Sequence, residues 1–324
     1  MKNSVASIIF VLLITLLAPS QGIAAGATHM KFQKLAGFMK GNKYYLVVYS
    51  IDEETSYMNF ATDMDGVHIR LKKRGGGDVV IQPDDMIINS LGLMMNARYK
   101  NTPMFRFNMV IDSSGSIDDR ALHHVEDALT QFVDFLPAAF EGQVIKFSTN
   151  VSAPSEFTNN KDELKRWIKA PFQRENTALY DAIGSGVQAL SNSGDKVPFK
   201  FSVVLTDGKD TASQDYKTPA QFINRIGPLS KNHNIPVFIV GVTNNVEETT
   251  LRKIAGAGYG LYRKVPNFQN LKKAFHFINN LIRETYVFTM PMPVSMSSVE
   301  KILIVKHRKS GSGKYDIIQD IDVQ

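Results

Sequence analysis

The sequence predicts an α/β protein built on a doubly wound, mostly parallel sheet with helices on both faces, plus a flanking β domain. Three observations carry this. Two runs, Phe105–Ile111 and Phe199–Leu205, are apolar enough on both faces to be buried strands of a parallel sheet. From the first run onward, strand-like and helix-like segments alternate, the pattern of strand, crossover helix and next strand. Outside residues 104–284 both ends of the chain read as β, yet each end has too few strands to form a stable sheet alone. Segments 30–103 and 285–324 are therefore expected to pair, with the α/β domain inserted between them.

The chain opens on a leader. Lys2 precedes an apolar run from Val5 to Ala18, and the small residues Gly22 to Ala27 follow. This is the layout of a secretory signal peptide over residues 1–25, with cleavage after Ala25 or Ala27. It predicts a periplasmic or secreted protein with no transmembrane span once the leader is gone. The alternative is an uncleaved N-terminal anchor, for which the run is short. The chain has no cysteine, which excludes a lipid-modified leader, disulfides and thiolate metal sites. Its formal net charge of +6 over 324 residues is modest. The densest basic clusters, Lys72–Arg74 and Lys306–Lys309, each adjoin a glycine-rich turn and read as solvated hairpin tips rather than a nucleic-acid surface.

In the first β segment, Tyr44–Ile51, Val67–Leu71 and Val79–Ile81 are strand-like, and Leu91–Tyr99 fits either a strand or a helix. The tract Asp63–Gly66 lacks the remaining ligands of a calcium loop and reads as a turn. In the α/β segment, Leu122, Val125, Leu129, Phe132, Val133 and Leu136 recur at helical spacing. Val144–Phe147 is a second strand, and a shorter one is expected around Val151–Phe157. Helices are expected over Lys161–Ile168, Ala178–Leu190, Ala220–Leu229, Val246–Ala255 and Phe268–Arg283, with strands at Pro236–Val240 and Leu261–Arg263. Beyond these, Tyr286–Met290 is extended, and Ile302–Lys306 and Tyr315–Ile318 flank a Ser-Gly turn as a hairpin.

The chemistry gathers at strand ends. Asp112 closes the first buried run, with Ser114 and Ser116 at alternate positions beyond it. A carboxylate and two hydroxyls on one strand-to-helix turn are hard oxygen ligands, suited to Mg²⁺ rather than to a soft metal. That triplet alone should occur in about one chain in ten at ordinary residue usage. Two more strand or helix ends supply the same chemistry, Thr177 at the start of a helix, as an N-cap would stand, and Asp207 after the second buried run. If the two runs are sheet neighbours, all five side chains converge on the carboxyl rim, where open α/β sheets bind ligands.

Between Phe105 and Glu284 the chain resembles a von Willebrand factor A domain. The resemblance rests on the D-x-S-G-S turn at Asp112–Ser116, the T-A-L-Y-D-A-I segment from Thr177, the T-D-G turn at Thr206–Gly208 and Leu251-Arg-Lys-Ile-Ala255. In that family the rim is a metal-ion-dependent adhesion site. The resemblance implies that Ser114 and Ser116 bind the metal directly, Thr177 directly or through water, and Asp112 and Asp207 largely through water. Mg²⁺ is the expected ion, with Mn²⁺ or Ca²⁺ as alternatives. With neutral hydroxyls as direct ligands, such an ion keeps most of its charge and takes an Asp or Glu carboxylate from a partner protein. Two departures stand out. Arg174-Glu-Asn176 occupies positions where many members carry glycines, placing the Glu175 anion near the rim. Asp118 and Asp119 invite comparison with an acidic pair that holds a second ion in some relatives, but they sit one residue too close to Ser116 and suit the positive end of a helix dipole.

The expected function is a non-enzymatic protein-binding module. No G-x-S-x-G, catalytic Cys or H-E-x-x-H occurs, and His123 and His124 point to different helix faces. The alternatives are a Mg²⁺-dependent hydrolase using Asp112 and Asp207, and a structural subunit of an envelope assembly in which the metal only stiffens the domain.

Overall fold

The computed structural model describes residues 30–52, 67–90, 105–136, 139–194, 197, 199–310 and 313–322. The leader, the Asp63–Gly66 tract and Leu91–Tyr99 lie outside them.

At the centre is a five-stranded, all-parallel sheet. Its strands are β6 (Phe105–Asp112), β7 (Phe140–Phe147), β8 (Phe199–Thr206), β9 (Val237–Val242) and β10 (Tyr262–Val265), in the order β10-β9-β8-β6-β7. The two most apolar runs are neighbours, with Met109 opposite Val203 and Ile111 opposite Leu205. The chain winds one way from β6 to β7 and the other way from β8 to β10. The switch point therefore lies between β6 and β8, where a crevice opens at the strand ends.

Strand alternation divides the core in two. Phe105, Phe107, Met109 and Ile111 pack under α1 (Asp119–Phe135), α2 (Lys161–Lys169) and α6 (Leu271–Glu284). Val110, Ile145, Phe147, Val204 and Ile239 pack under α3 (Leu179–Asn192), α4 (Pro219–Asn232) and α5 (Glu248–Ala257). The first cluster is rich in aromatics. Phe107 stacks on Phe201 at 5.3 Å and meets Phe132 edge-on at 5.8 Å. The second face carries one buried polar network, in which Asn108 donates to Gly186 O and accepts from the Ser202 hydroxyl.

Strands from both ends of the chain form two antiparallel sheets. One has the order β1-β2-β11-β5, from β1 (Met30–Lys40), β2 (Lys43–Asp52), β11 (Tyr286–Pro291) and β5 (Ile87–Ser90). The other is β13-β12-β3-β4, from β13 (Gly313–Asp322), β12 (Val299–Ser310), β3 (Val67–Lys73) and β4 (Asp78–Ile81). The first is a middle layer. Val47 and Tyr49 of β2 join the α/β core, while Leu46 and Val48 pack with Ile69, Leu71, Ile302 and Ile304 of the second sheet. That two-sided burial explains why Tyr44–Ile51 reads as a continuous apolar run. The two basic clusters lie at opposite ends of the β3–β12 pair, since Lys73 pairs with Val299 and Val67 with Lys306.

Two expectations need correction. Val151–Phe157 is not a strand; isolated bridges at its ends, Val151 with Phe147 and Thr158 with Gly142, are its only ladder contacts with β7 among the described residues. The hydroxyls of Ser152 and Ser155 accept from Lys146 N and Val144 N, and Pro154 has no N–H, so no regular ladder forms. The last helix starts later than Phe268, because Phe268–Asn270 is a 3₁₀ turn capped by the Asn267 side chain. Among the described residues no helix is long and apolar enough to cross a membrane.

Truncating Phe107, which is fully buried, should cost about 3–5 kcal/mol through lost contacts and a residual cavity. Urea denaturation of Phe107→Ala measures this directly.

Candidate metal centre

The register that pairs Ile111 with Leu205 sets Asp112 beside Thr206 at the ends of β6 and β8. Asp112 is 0% exposed. One of its carboxylate oxygens accepts from Ser114 N at 2.8 Å and the other from the Thr206 hydroxyl at 2.6 Å. The chain then turns, so that Ser114 Oγ and Ser116 Oγ stand 3.1 Å apart. Ser116 Oγ in turn donates to Asp207 Oδ1 at 2.8 Å. Thr177 completes the group from a third loop. Its hydroxyl oxygen lies 3.5 Å from where a side chain at Gly208 would begin, and no hydrogen bond commits it among the described residues. All five residues singled out from the sequence thus come together on one rim.

The supporting contacts are those that the sequence did not announce. Thr206 aligns the Asp112 carboxylate. Arg174 ties the third loop to the first, its guanidinium donating to Ile117 O and to the Asp119 carboxylate. Gly115 N donates to Glu175 O at 2.9 Å, and a Cβ on Gly115 would press on the carbonyls of both Arg174 and Glu175 at 3.4 Å. Asp181, within the T-A-L-Y-D-A-I segment, accepts from the backbone N–H groups of Gln214, Asp215 and Tyr216 and so pins the loop after Asp207 to α3. The sequence signal for these roles is a polar residue of the right type, without any indication of its partner.

Three acidic side chains near the rim have defined roles. Asp118 is the N-cap of α1, accepting from Ala121 N at 2.7 Å. Asp119 pairs with Arg174. The Glu175 carboxylate accepts from the Thr149 hydroxyl at 2.9 Å. Thr177, expected as an N-cap, stands one residue earlier, with Ala178 as the cap. Its backbone is held instead by the loop after Asp207: Thr177 N donates to the Thr211 hydroxyl, and Thr177 O accepts from Thr211 N and Ala212 N. The side chain is thereby left for the rim.

The electrostatics are those of an anionic site. Burial pushes the Asp112 carboxyl up to about 6, against the opposing effect of its Ser114 and Thr206 hydrogen bonds, and the Asp207 charge pushes the same way. Burial also raises Asp207, partly offset by the Ser116 hydrogen bond. Among the described residues no Lys, Arg or His forms an ion pair with either carboxylate. Two buried carboxylates and three hydroxyls, all oxygen donors, fit a hard divalent cation and offer nothing to a soft one. Among the described residues no three His, Cys, Asp or Glu side chains gather as a metal cluster. The rim differs from such clusters in that three of its five residues, Ser114, Ser116 and Thr177, offer hydroxyls.

A family model for the von Willebrand factor type A domain matches residues 108–277. The chain belongs to the von Willebrand factor type A family. A curated relative, inter-alpha-trypsin inhibitor heavy chain H3 of Mus musculus, is 26% identical over 168 residues, covering 48% of this chain and 18% of its own length. Among solved structures, a von Willebrand factor type A protein from Catenulispora acidiphila aligns over 90% of this chain and 72% of its own, with a TM-score of 0.48 and 12% identity. Proximal thread matrix protein 1 from the mussel byssus, with a zinc-occupied MIDAS motif, aligns over 64% of this chain and 49% of its own, with a TM-score of 0.46 and 17% identity.

In the metal-free protein the raised Asp112 group makes stability depend on pH. Below about pH 3 the carboxyl is protonated in both folded and unfolded chains. As pH rises toward 6 the unfolded chain releases its proton first, so the folded state loses about 3 kcal/mol of relative stability across that window. Urea denaturation in EDTA between pH 3 and 7 should show this decline, and Asp112→Asn should reduce it to the part that the raised Asp207 contributes.

Proposed function

We propose that this is an exported, non-enzymatic protein-binding module that docks a partner's Asp or Glu carboxylate at a Mg²⁺ held by Asp112, Ser114, Ser116, Thr177 and Asp207. The observation that carries the reading is the pair of buried carboxylates with no ion-paired cation among the described residues, joined to three hydroxyls on one rim. When bound, the ion supplies a positive charge that neutralises the carboxylates and an open position for an incoming anion. Everything else is done by the chain. Thr206 and Ser114 N orient Asp112; Asp207 orients the Ser116 hydroxyl; the Arg174 clamp and the Asp181 staple fix the separation of the three loops.

The serines are ligands here rather than nucleophiles. Among the described residues no His or Lys hydrogen-bonds to Ser114 or Ser116, and the one carboxylate that a serine hydroxyl meets, Asp207, is assigned to the ion in this reading. The exported location follows from the leader-like residues 1–25, which lie outside the described residues.

Magnesium at about a hundred times its dissociation constant should stabilise the protein by roughly 2.7 kcal/mol. Thermal melts should show that gain for the natural protein and lose it in Asp112→Ala and Thr177→Ala. The docking role has its own test. Partner capture from a cell-envelope extract should vanish in EDTA, return with Mg²⁺ and fail with Asp112→Ala. Capture indifferent to all three would leave only a structural role.

A further inference from the structure

Next to the rim, on the face of the sheet covered by α1 and α2, the structure holds a cavity of about 210 Å³. Two of its lining residues, Ser113 and Ile117, are immediate chain neighbours of Asp112, Ser114 and Ser116, so the cavity adjoins the loop of the candidate metal centre. Its walls are of two kinds. Ile117, Leu122 and Phe172 are apolar, whereas Lys146, Lys169 and Glu126 are charged.

Lys146 is the unusual member. On β7 its neighbours Ile145 and Phe147 are buried under α3, so strand alternation sends Lys146 to the opposite face, into the cavity wall. It is only 7% exposed. Its ammonium donates to Ala170 O, the carbonyl just past the C-terminus of α2, where a cation is favoured. An ammonium has three donors, and that contact uses one. Glu126 attracts it but forms no ion pair with it among the described residues. Burial accordingly lowers the Lys146 pKa to about 8, the mark of a cation short of compensating charge. Lys169 on the same wall is exposed and is in no ion pair among the described residues. Arg174 also lines the cavity, but its guanidinium is engaged by Ile117 O and Asp119. The cavity therefore has an apolar wall, one anion in Glu126, and two cations, the exposed Lys169 and the buried Lys146, whose ammonium has donors left unused among the described residues.

We propose that this cavity is a second anion subsite, filled by a glutamate side chain from the same partner segment whose carboxylate docks at the rim. Glutamate suits it because the aliphatic stem lies along Ile117 and Phe172 while the carboxylate reaches Lys146 and Lys169. The proposal rests on the docking reading above and sharpens it. The partner presents two acidic side chains close together in sequence, and the second selects among acidic partners.

The probes are blocked glycine-alanine hexapeptides carrying either a single Asp, or an Asp with a Glu one to four residues away, titrated by amide chemical-shift changes in excess Mg²⁺. At least one two-acid peptide should bind at least ten-fold tighter than the single-acid peptide, with shifts at residues 113, 117, 146 and 172. Lys146→Met should bind the two classes alike, and Lys169→Ala, at an exposed position, should cut the gain to a few-fold. A panel without any gain, or a gain that survives both substitutions, overturns the subsite. Failure of the docking reading looks different, since the single-acid peptide would then bind equally well in EDTA.

Discussion

The structure turns on one buried carboxylate. Asp112 ends β6, an interior strand of the parallel sheet, out of contact with water, and both of its oxygens are held by donors from different strand ends. An isolated ionised carboxylate at that depth would be strongly disfavoured, and its raised pKa records the cost. Yet the chain places a second buried carboxylate, Asp207, on the neighbouring strand end and no ion-paired cation on either among the described residues. The apolar sheet that makes the site costly is also what makes it rigid. Phe107, Phe201 and Phe132 lock β6 and β8 in register beneath it, and the register puts Asp112 next to Thr206.

The central strands and most helices are legible in the amino-acid sequence alone. They announce themselves by unbroken apolar runs and by 3.6-residue periodicity, because both reflect one-dimensional patterns of burial. The five oxygen-bearing residues are legible too, since each stands at the end of such an element. The flanking sheets are only half legible. The continuous run in β2 reports burial on both sides, but not that one side meets the α/β core and the other a second sheet. Which strands pair across the whole chain length, as β2 does with β11, is decided by long-range packing that no local window contains.

The partners of polar residues are the least legible. Arg174 and Glu175 read as intrusions where glycines are expected, and the structure assigns them to holding loops together. Arg174 reaches Ile117 O and Asp119, while Glu175 lends its carbonyl to Gly115 and its carboxylate to Thr149. Asp118 and Asp119, similarly, serve as a helix cap and as the acidic half of that clamp. A serine near an edge strand is just as hard to read, since Ser152 and Ser155 replace backbone acceptors along β7 and dissolve an expected strand. In each case the residue type is visible and its geometry is not, because side-chain hydrogen bonds depend on which loops the fold brings together.

The central claim is that the rim formed by Asp112, Ser114, Ser116, Thr177 and Asp207 holds a divalent cation. A crystal grown with Mn²⁺ and measured at the manganese absorption edge tests it without reference to any partner. The account predicts one anomalous peak enclosed by these five side chains, absent from crystals of Asp112→Ala. Saturating Mn²⁺ that gives no peak there, or a peak that persists in Asp112→Ala, would contradict it.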